Sequence, residues 1–153
     1  MTPLAIPAAV LEEARRFFEE CGSRGHEGTA MIKSGPRGSA LVIPDQRPQR
    51  TRHGVSVEVT RAGQMQLAMA LEDDEIYASR IHSHPDEAFH SQADDANPAL
   101  TYDGALSIVV PFYGLGLRHG LDTCAVYRLE HARWHPLTPG ADRQRWVTTL
   151  DDA

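Results

Sequence analysis

Residues 80–97 read RIHSHPDEAFHSQADDAN, and several of these side chains are of the kind that bind metal. If the preceding segment is a strand, alternation puts His82 and His84 on one face and Ser83 on the other. Two imidazoles two residues of rise apart can reach one ion. Pro85 has no N–H to give to a ladder, so it ends the strand and leaves the histidines at a strand end open to substrate. Ser91 and Asp94 are three positions apart, so they share a face if Ser91 opens a helix, and an oxygen ligand is then available. Two histidines and one carboxylate leave the fourth position of a tetrahedral Zn²⁺ for water, the arrangement of a catalytic rather than a structural site. Such a water needs a base that is not itself a ligand. Glu27, at the beginning of the strand pattern in HEGTAMI, is the carboxylate favoured for that role.

Taken singly, each feature has an ordinary reading. His-x-His at a strand end is commonly a packed or surface pair, and Ser91 reads as a helix cap. Asp94 and Asp95 read as first-turn acids favoured by the helix dipole, and Glu27 as a solvated strand-end charge. It is their combination that points to chemistry.

The elements that must position them follow from periodicity. From Pro7 to Cys21, the apolar residues Val10, Leu11, Ala14, Phe17, Phe18 and Cys21 recur at helical spacing, which predicts an amphipathic helix. Glu27 to Lys33 reads as a strand, turned at Gly35-Pro36-Arg37-Gly38 into a hairpin partner over Ala40 to Ile43. Residues 45–54 read as loop, Val55 to Val59 as a half-buried strand, and residues 62–72 as a helix with an apolar stripe through Met65, Met69 and Leu71. Ile76 to His84 is a strand running into the histidines, and Ser91 to Asn97 a short helix stopped by Pro98. Leu106 to Val110 is apolar throughout, as a central strand covered on both faces would be. Thr123 to Leu129 and Ala132 to Leu137 form a final hairpin, with a short helix in the tail through Trp146. The fold class is α/β with a mixed sheet.

The 153 residues suit one domain with a real core, and 41% hydrophobic with 24% charged residues is ordinary for a globular chain. The net charge of −6 and scattered basic residues argue against nucleic acid as a partner. Only Cys21 and Cys124 are present, outside any CxxC, so neither a disulfide framework nor a cysteine zinc knuckle is expected, and a reducing cytoplasm fits. The N-terminal segment has no basic leader region, and no apolar run long enough for a membrane span is seen.

Glu27, His82-Ser83-His84-Pro85 and Ser91-Gln92-Ala93-Asp94 together resemble the signature of the JAMM metalloproteases, the MPN-plus or prokaryotic JAB family. The order of elements is similar over roughly Ala8 to Leu137. One departure is visible: the commonest form of the motif has its aspartate eleven residues after the second histidine, whereas Asp94 lies ten after His84 and Asp95 eleven. Asp94 is favoured, because a Ser-to-Asp spacing within one helical turn is harder to alter than a loop length, with Asp95 the alternative. His90, beside Ser91, has no assigned role.

The resemblance implies a single MPN (JAB)-type domain over residues 1–153, a mixed sheet flanked by helices in a cytidine-deaminase-like arrangement. It implies Zn²⁺ on His82, His84 and Asp94, with Glu27 as proton carrier and Ser91 donating a hydrogen bond to the oxygen that gains charge. The reaction implied is hydrolysis of a peptide or isopeptide bond after the C-terminal glycine of a ubiquitin-like protein. That protein or its conjugate would be the partner, alongside activating and conjugating enzymes, as in prokaryotic conjugation and antiphage systems. The alternatives are a JAB-type peptidase acting on another peptide and a non-catalytic MPN scaffold. A zinc deaminase would need His-x-Glu and Pro-Cys-x-x-Cys, and neither occurs.

The two aspartates give a direct test. Asp94→Asn is expected to abolish stoichiometric zinc, measured by elemental analysis of purified protein, while Asp95→Asn keeps most of it. The reverse result moves the ligand to Asp95.

Overall fold

The computed structural model describes residues 3–51, 54–88 and 100–151. Its centre is a six-stranded mixed sheet in the order β3-β2-β6-β7-β8-β9. The strands are β2 (Thr29–Gly35), β3 (Gly38–Val42), β6 (Ile76–Ser83), β7 (Leu106–Val110), β8 (Ala125–Glu130) and β9 (Arg133–Pro136). Only β6 and β7 run parallel; the other neighbours are antiparallel. All five residues of β7 are buried, as its unbroken apolar run predicts.

Alternation divides the sheet into two unlike faces. Ala30, Ile32, Ile81, Ile108, Val110 and Val126 belong to the main core, under helix α1 (Ala8–Ser23). That helix buries Val10, Leu11, Ala14, Phe18 and Cys21, the stripe its spacing predicts, and ties its outer face with Arg15 ion pairs to Glu12 and Glu19. On the other face Met31, Ala105 and Leu129 form a smaller cluster with Leu100, against which Leu67 of helix α2 (Arg61–Ala70) packs.

Several expectations are corrected. Residues 45–54 are not simply loop: β4 (Gln46–Thr51) pairs in antiparallel fashion with β5 (Gly54–Val59). The polar side chains of QRPQRT hide the strand, because a two-stranded hairpin outside the main sheet needs no continuous apolar face. The tail does hold a short helix, α3 (Ala141–Gln144), but β10 (Val147–Leu150) follows and pairs in parallel with β1 (Leu4–Pro7). Four-residue strands carry too little pattern to be read. The stripe on α2 does not face the core: Met65 is 62% and Met69 81% exposed, and Gly63 is the residue it buries. The expected helix from Ser91 to Asn97 lies outside the described residues.

At the end of β2 and β6 remote from the histidines, Lys33 Nζ donates to Glu75 Oε1 at 2.9 Å, the Glu72 N–H donates to the same oxygen, and Arg37 binds Asp74 at 2.7 Å. Lys33 beside it, then the Glu72 N–H, hold the Glu75 carboxyl below the usual glutamate range. A depressed carboxyl stabilises the fold above its unfolded pKa and loses that contribution as pH falls through its folded pKa. Glu75→Gln is therefore expected to be less stable than the parent in urea unfolding at neutral pH, with the difference closing as pH falls from about 5 to about 3.

Candidate functional site

The sheet register assembles the site. Thr29 of β2 faces His82 of β6, and the ladder continues one step further, where the Ser83 N–H donates to the Gly28 carbonyl at 3.0 Å. Glu27 stands two residues before Thr29 and His84 two residues after His82. Odd positions of β2 and even positions of β6 share a face near the site, so Thr29 and His82 belong to the side of the sheet that α2 covers. Of the sequence candidates, Glu27, His82 and His84, at the same end of β2 and β6, lie within the described residues. Ser91, Asp94 and Asp95 lie outside them, as does His90.

Both histidines are deeply placed, His82 at 1% and His84 at 5% exposure. The His84 N–H donates to the Val110 carbonyl at 2.8 Å, and the Tyr113 N–H donates to the His84 carbonyl at 2.8 Å. The Phe112 N–H then donates to the Asp86 carbonyl at 2.9 Å, so the turn through Pro85 is held on both sides. This support requires left-handed backbone at Phe112 (φ 55°) and Tyr113 (φ 52°), which bulky residues adopt only when surrounding contacts enforce it. Gly114, at φ 96°, provides part of that enforcement by lying so close to α1 that a Cβ would come 2.7 Å from Phe18 Cβ.

Glu27 is half-buried, and the strand start that carries it is fixed from three directions. The Gly28 N–H donates to the Ser83 hydroxyl at 2.9 Å. A Cβ on Gly28 would come 2.9 Å from Phe17 and 3.0 Å from Phe18, so the chain lies directly on α1. On its third side Gln46 acts as a substitute strand: its amide accepts from the Thr29 N–H and donates to the Thr29 carbonyl, both at 2.8 Å. The sequence pointed to neither Ser83 nor Gln46 as part of the site. Nothing in their local pattern shows which backbone groups they meet, because their partners lie 55 and 17 residues away.

The donor set fits a divalent metal. An ion about 2 Å from one nitrogen of each ring would lie roughly 3.2 Å from each ring centre, and two such arms at a tetrahedral opening set the centres about 5 Å apart. The His82 and His84 ring centroids are 5.0 Å apart with planes tilted by 58°. Among the described residues no group of three His, Cys, Asp or Glu forms a metal cluster. Both cysteines are free and buried. Burial pushes the Cys124 thiol up to about 12 and raises Cys21 as well, so neither is a ready thiolate nucleophile.

No protein-family model matches the chain. It is 33% identical over 154 aligned positions to the protein named "Probable metalloprotease y4jG" of Sinorhizobium fredii, an alignment spanning 95% of this chain and 93% of that one. Metalloprotease is the class that this relative's name gives it. The chain belongs to that metalloprotease family. No described helix is long and apolar enough to cross a membrane.

Gln46→Ala is expected to lower kcat by about tenfold to a hundredfold, the scale of a small misplacement of a reacting group. KM and bound metal should stay near the parent's, because Gln46 supports the glutamate strand and not the histidines. Steady-state kinetics alongside metal analysis checks both halves of the expectation.

Proposed function

We propose that this metallopeptidase is a zinc enzyme of the JAMM type that cuts after the C-terminal glycine of a ubiquitin-like protein, releasing it from an isopeptide-linked target or a C-terminal extension. What supports the reading is the β2–β6 register, in which Thr29 faces His82 and the Ser83 N–H donates to the Gly28 carbonyl, with Glu27 next in the chain. His82, His84 and Asp94 would hold the zinc, which when bound supplies an acidified water and polarises the scissile carbonyl. Glu27 accepts the proton of the attacking water and passes it to the departing amine nitrogen. Ser91 donates a hydrogen bond to the carbonyl oxygen as that oxygen takes up negative charge, a role worth about 2.7–4 kcal/mol when one such donor is lost. The raised thiols of Cys21 and Cys124 favour direct attack by water over a covalent thioester route.

In this reading the tail ends in glycine because a chain without side chains gives a zinc-bound carbonyl and its proton carrier the closest approach. A cytoplasmic enzyme working beside the activating and conjugating enzymes of a prokaryotic system, including those of antiphage defence, would meet such a substrate. The buried free cysteines suit a reducing compartment. A ubiquitin-like protein encoded next to this chain would be the natural substrate to try.

Glu27→Gln is expected to keep full zinc and bind substrate while kcat falls about 10²–10⁴-fold, the usual contribution of a positioned proton carrier. The parent, incubated with a ubiquitin-like protein bearing a C-terminal extension, should cut after the terminal glycine, as located by mass spectrometry. Cutting scattered through unrelated unfolded chains would assign a general peptidase instead.

A further inference from the structure

The peptide unit joining Glu27 to Gly28 lies just before β2, and side chains hold it where a ladder ordinarily would. In an antiparallel pair, two residues that face each other across a hydrogen-bonded step exchange both of their backbone bonds. Gly28 and Ser83 stand in that relation, one step past Thr29 and His82. The Ser83 N–H donates to the Gly28 carbonyl at 3.0 Å, but the return bond runs from the Gly28 N–H to the Ser83 hydroxyl at 2.9 Å. A side-chain oxygen takes the place of a backbone one.

The other end of the same peptide unit is also met by a side chain. His26 Nδ1 lies 3.1 Å from the Glu27 carbonyl oxygen, which can only accept, so the ring donates. A peptide unit is planar, with its N–H and C=O pointing opposite ways, and bonds at both ends therefore fix its orientation. Ser83 is fully enclosed, Gly28 is buried and His26 half-buried. On the α1 side there is no room to shift, because a Cβ on Gly28 would come 3.1 Å from Cys21 Sγ.

We propose that Ser83 and His26 are positioning residues for the proton-transfer step: together they clamp the peptide unit after Glu27 and so set the direction in which its carboxylate leaves the chain. The proposal rests on the metallopeptidase reading above, in which Glu27 carries the proton. Ser83 follows His82 in β6, and alternation turns its hydroxyl to the opposite face of the sheet. It therefore serves the glutamate through the backbone and not the reacting atoms themselves. Because the anchor belongs to the histidine strand, the position of the base is referred to that strand directly. Such precision matters, since a misplacement of about 1 Å can slow a reaction on the order of a hundredfold.

The test combines kinetics with amide exchange on zinc-loaded protein, using a ubiquitin-like protein with a C-terminal extension as substrate. Ser83→Ala is expected to keep stoichiometric zinc and a KM within about twofold of the parent's, while kcat falls about tenfold to a hundredfold. His26→Ala should act in the same direction by a smaller factor. In a Glu27→Gln background neither substitution should lower kcat by more than about twofold, since groups acting through one residue do not add once it is gone. By NMR, the Gly28 amide of Ser83→Ala should exchange about tenfold faster or more, while the His84 amide, bonded to the Val110 carbonyl, keeps its protection. Losses that multiply with Glu27→Gln, zinc lost from Ser83→Ala, or an unchanged kcat in both variants overturns the clamp. Should Ser83→Ala unfold, His26→Ala carries the same cycle. If the parent does not hydrolyse the substrate, the metallopeptidase reading falls and exchange decides the clamp: faster Gly28 exchange in the variants keeps it, and an unchanged rate removes it.

Discussion

The site depends on one register, the antiparallel pairing of β2 with β6 that sets Thr29 against His82. Side chains in a strand alternate, so a slip of one residue would carry Glu27 to the face under α1 while leaving the histidines behind. Much of the surrounding structure opposes that slip. The Lys33–Glu75 pair fixes the far end, and the Ser83 hydroxyl and Gln46 amide fix the near end. Between them the apolar residues Ala30 and Ile32 are fully buried, and a slip of β2 would exchange them for Thr29 and Lys33. Burying such groups without their native partners costs several kcal/mol, more than a marginally stable domain can absorb.

The parallel step from β6 to β7 explains why the site sits at this end of the sheet. Two parallel neighbours need a crossover that returns the chain to its starting edge, and here it spans the residues between Ser83 and Leu106. The chain therefore leaves the sheet at the histidines, where backbone ladders end and side chains can serve a ligand. The Pro111–Gly116 segment, at the matching end of β7, braces the departing turn through the Phe112 and Tyr113 N–H groups. Left-handed aromatic residues cost roughly 1–3 kcal/mol each. That cost is tolerable because the same loop is seated on α1, where Tyr113 fills the space a Cβ on Gly22 would need.

The parts of this arrangement that were legible in the sequence are those written in local periodicity. Helix α1, the β2–β3 hairpin and the apolar β7 each carry enough residues for their pattern to show, and the alternation that pairs His82 with His84 is a property of six consecutive residues. Gln46 and Ser83 were not legible in this way. Gln46 sits in a stretch of polar residues that reads as loop, and its role comes only from meeting Thr29. Ser83 lies between the histidines with no spacing signal of its own, and its hydroxyl gains a role only by meeting Gly28, 55 residues away. The exposed Met65 and Met69 mark the opposite failure, in which a periodic stripe has the residues of a core face but the packing of α2 through Gly63 and Leu67 turns it outward.

The histidine face also shows why stability and function are balanced strand by strand. Thr29, Arg80, His82 and Ser107 are buried polar residues across three adjacent strands, whereas the α1 face there carries Ala30, Ile32, Ile81 and Ile108 with only the small polar Ser79 and Ser83. A sheet with both faces apolar would gain burial energy, yet it would offer no imidazole at a depth where water is scarce. That depth is what makes the polar groups effective, since charge interactions strengthen as water is excluded. The stability lost on this face is offset on the other, where Phe18, Ile32, Ile81 and Ile108 are fully enclosed. Strand β6 joins the two, with Ile81 anchored in the apolar core between Arg80 and His82, so the rigidity of one face fixes the geometry of the other.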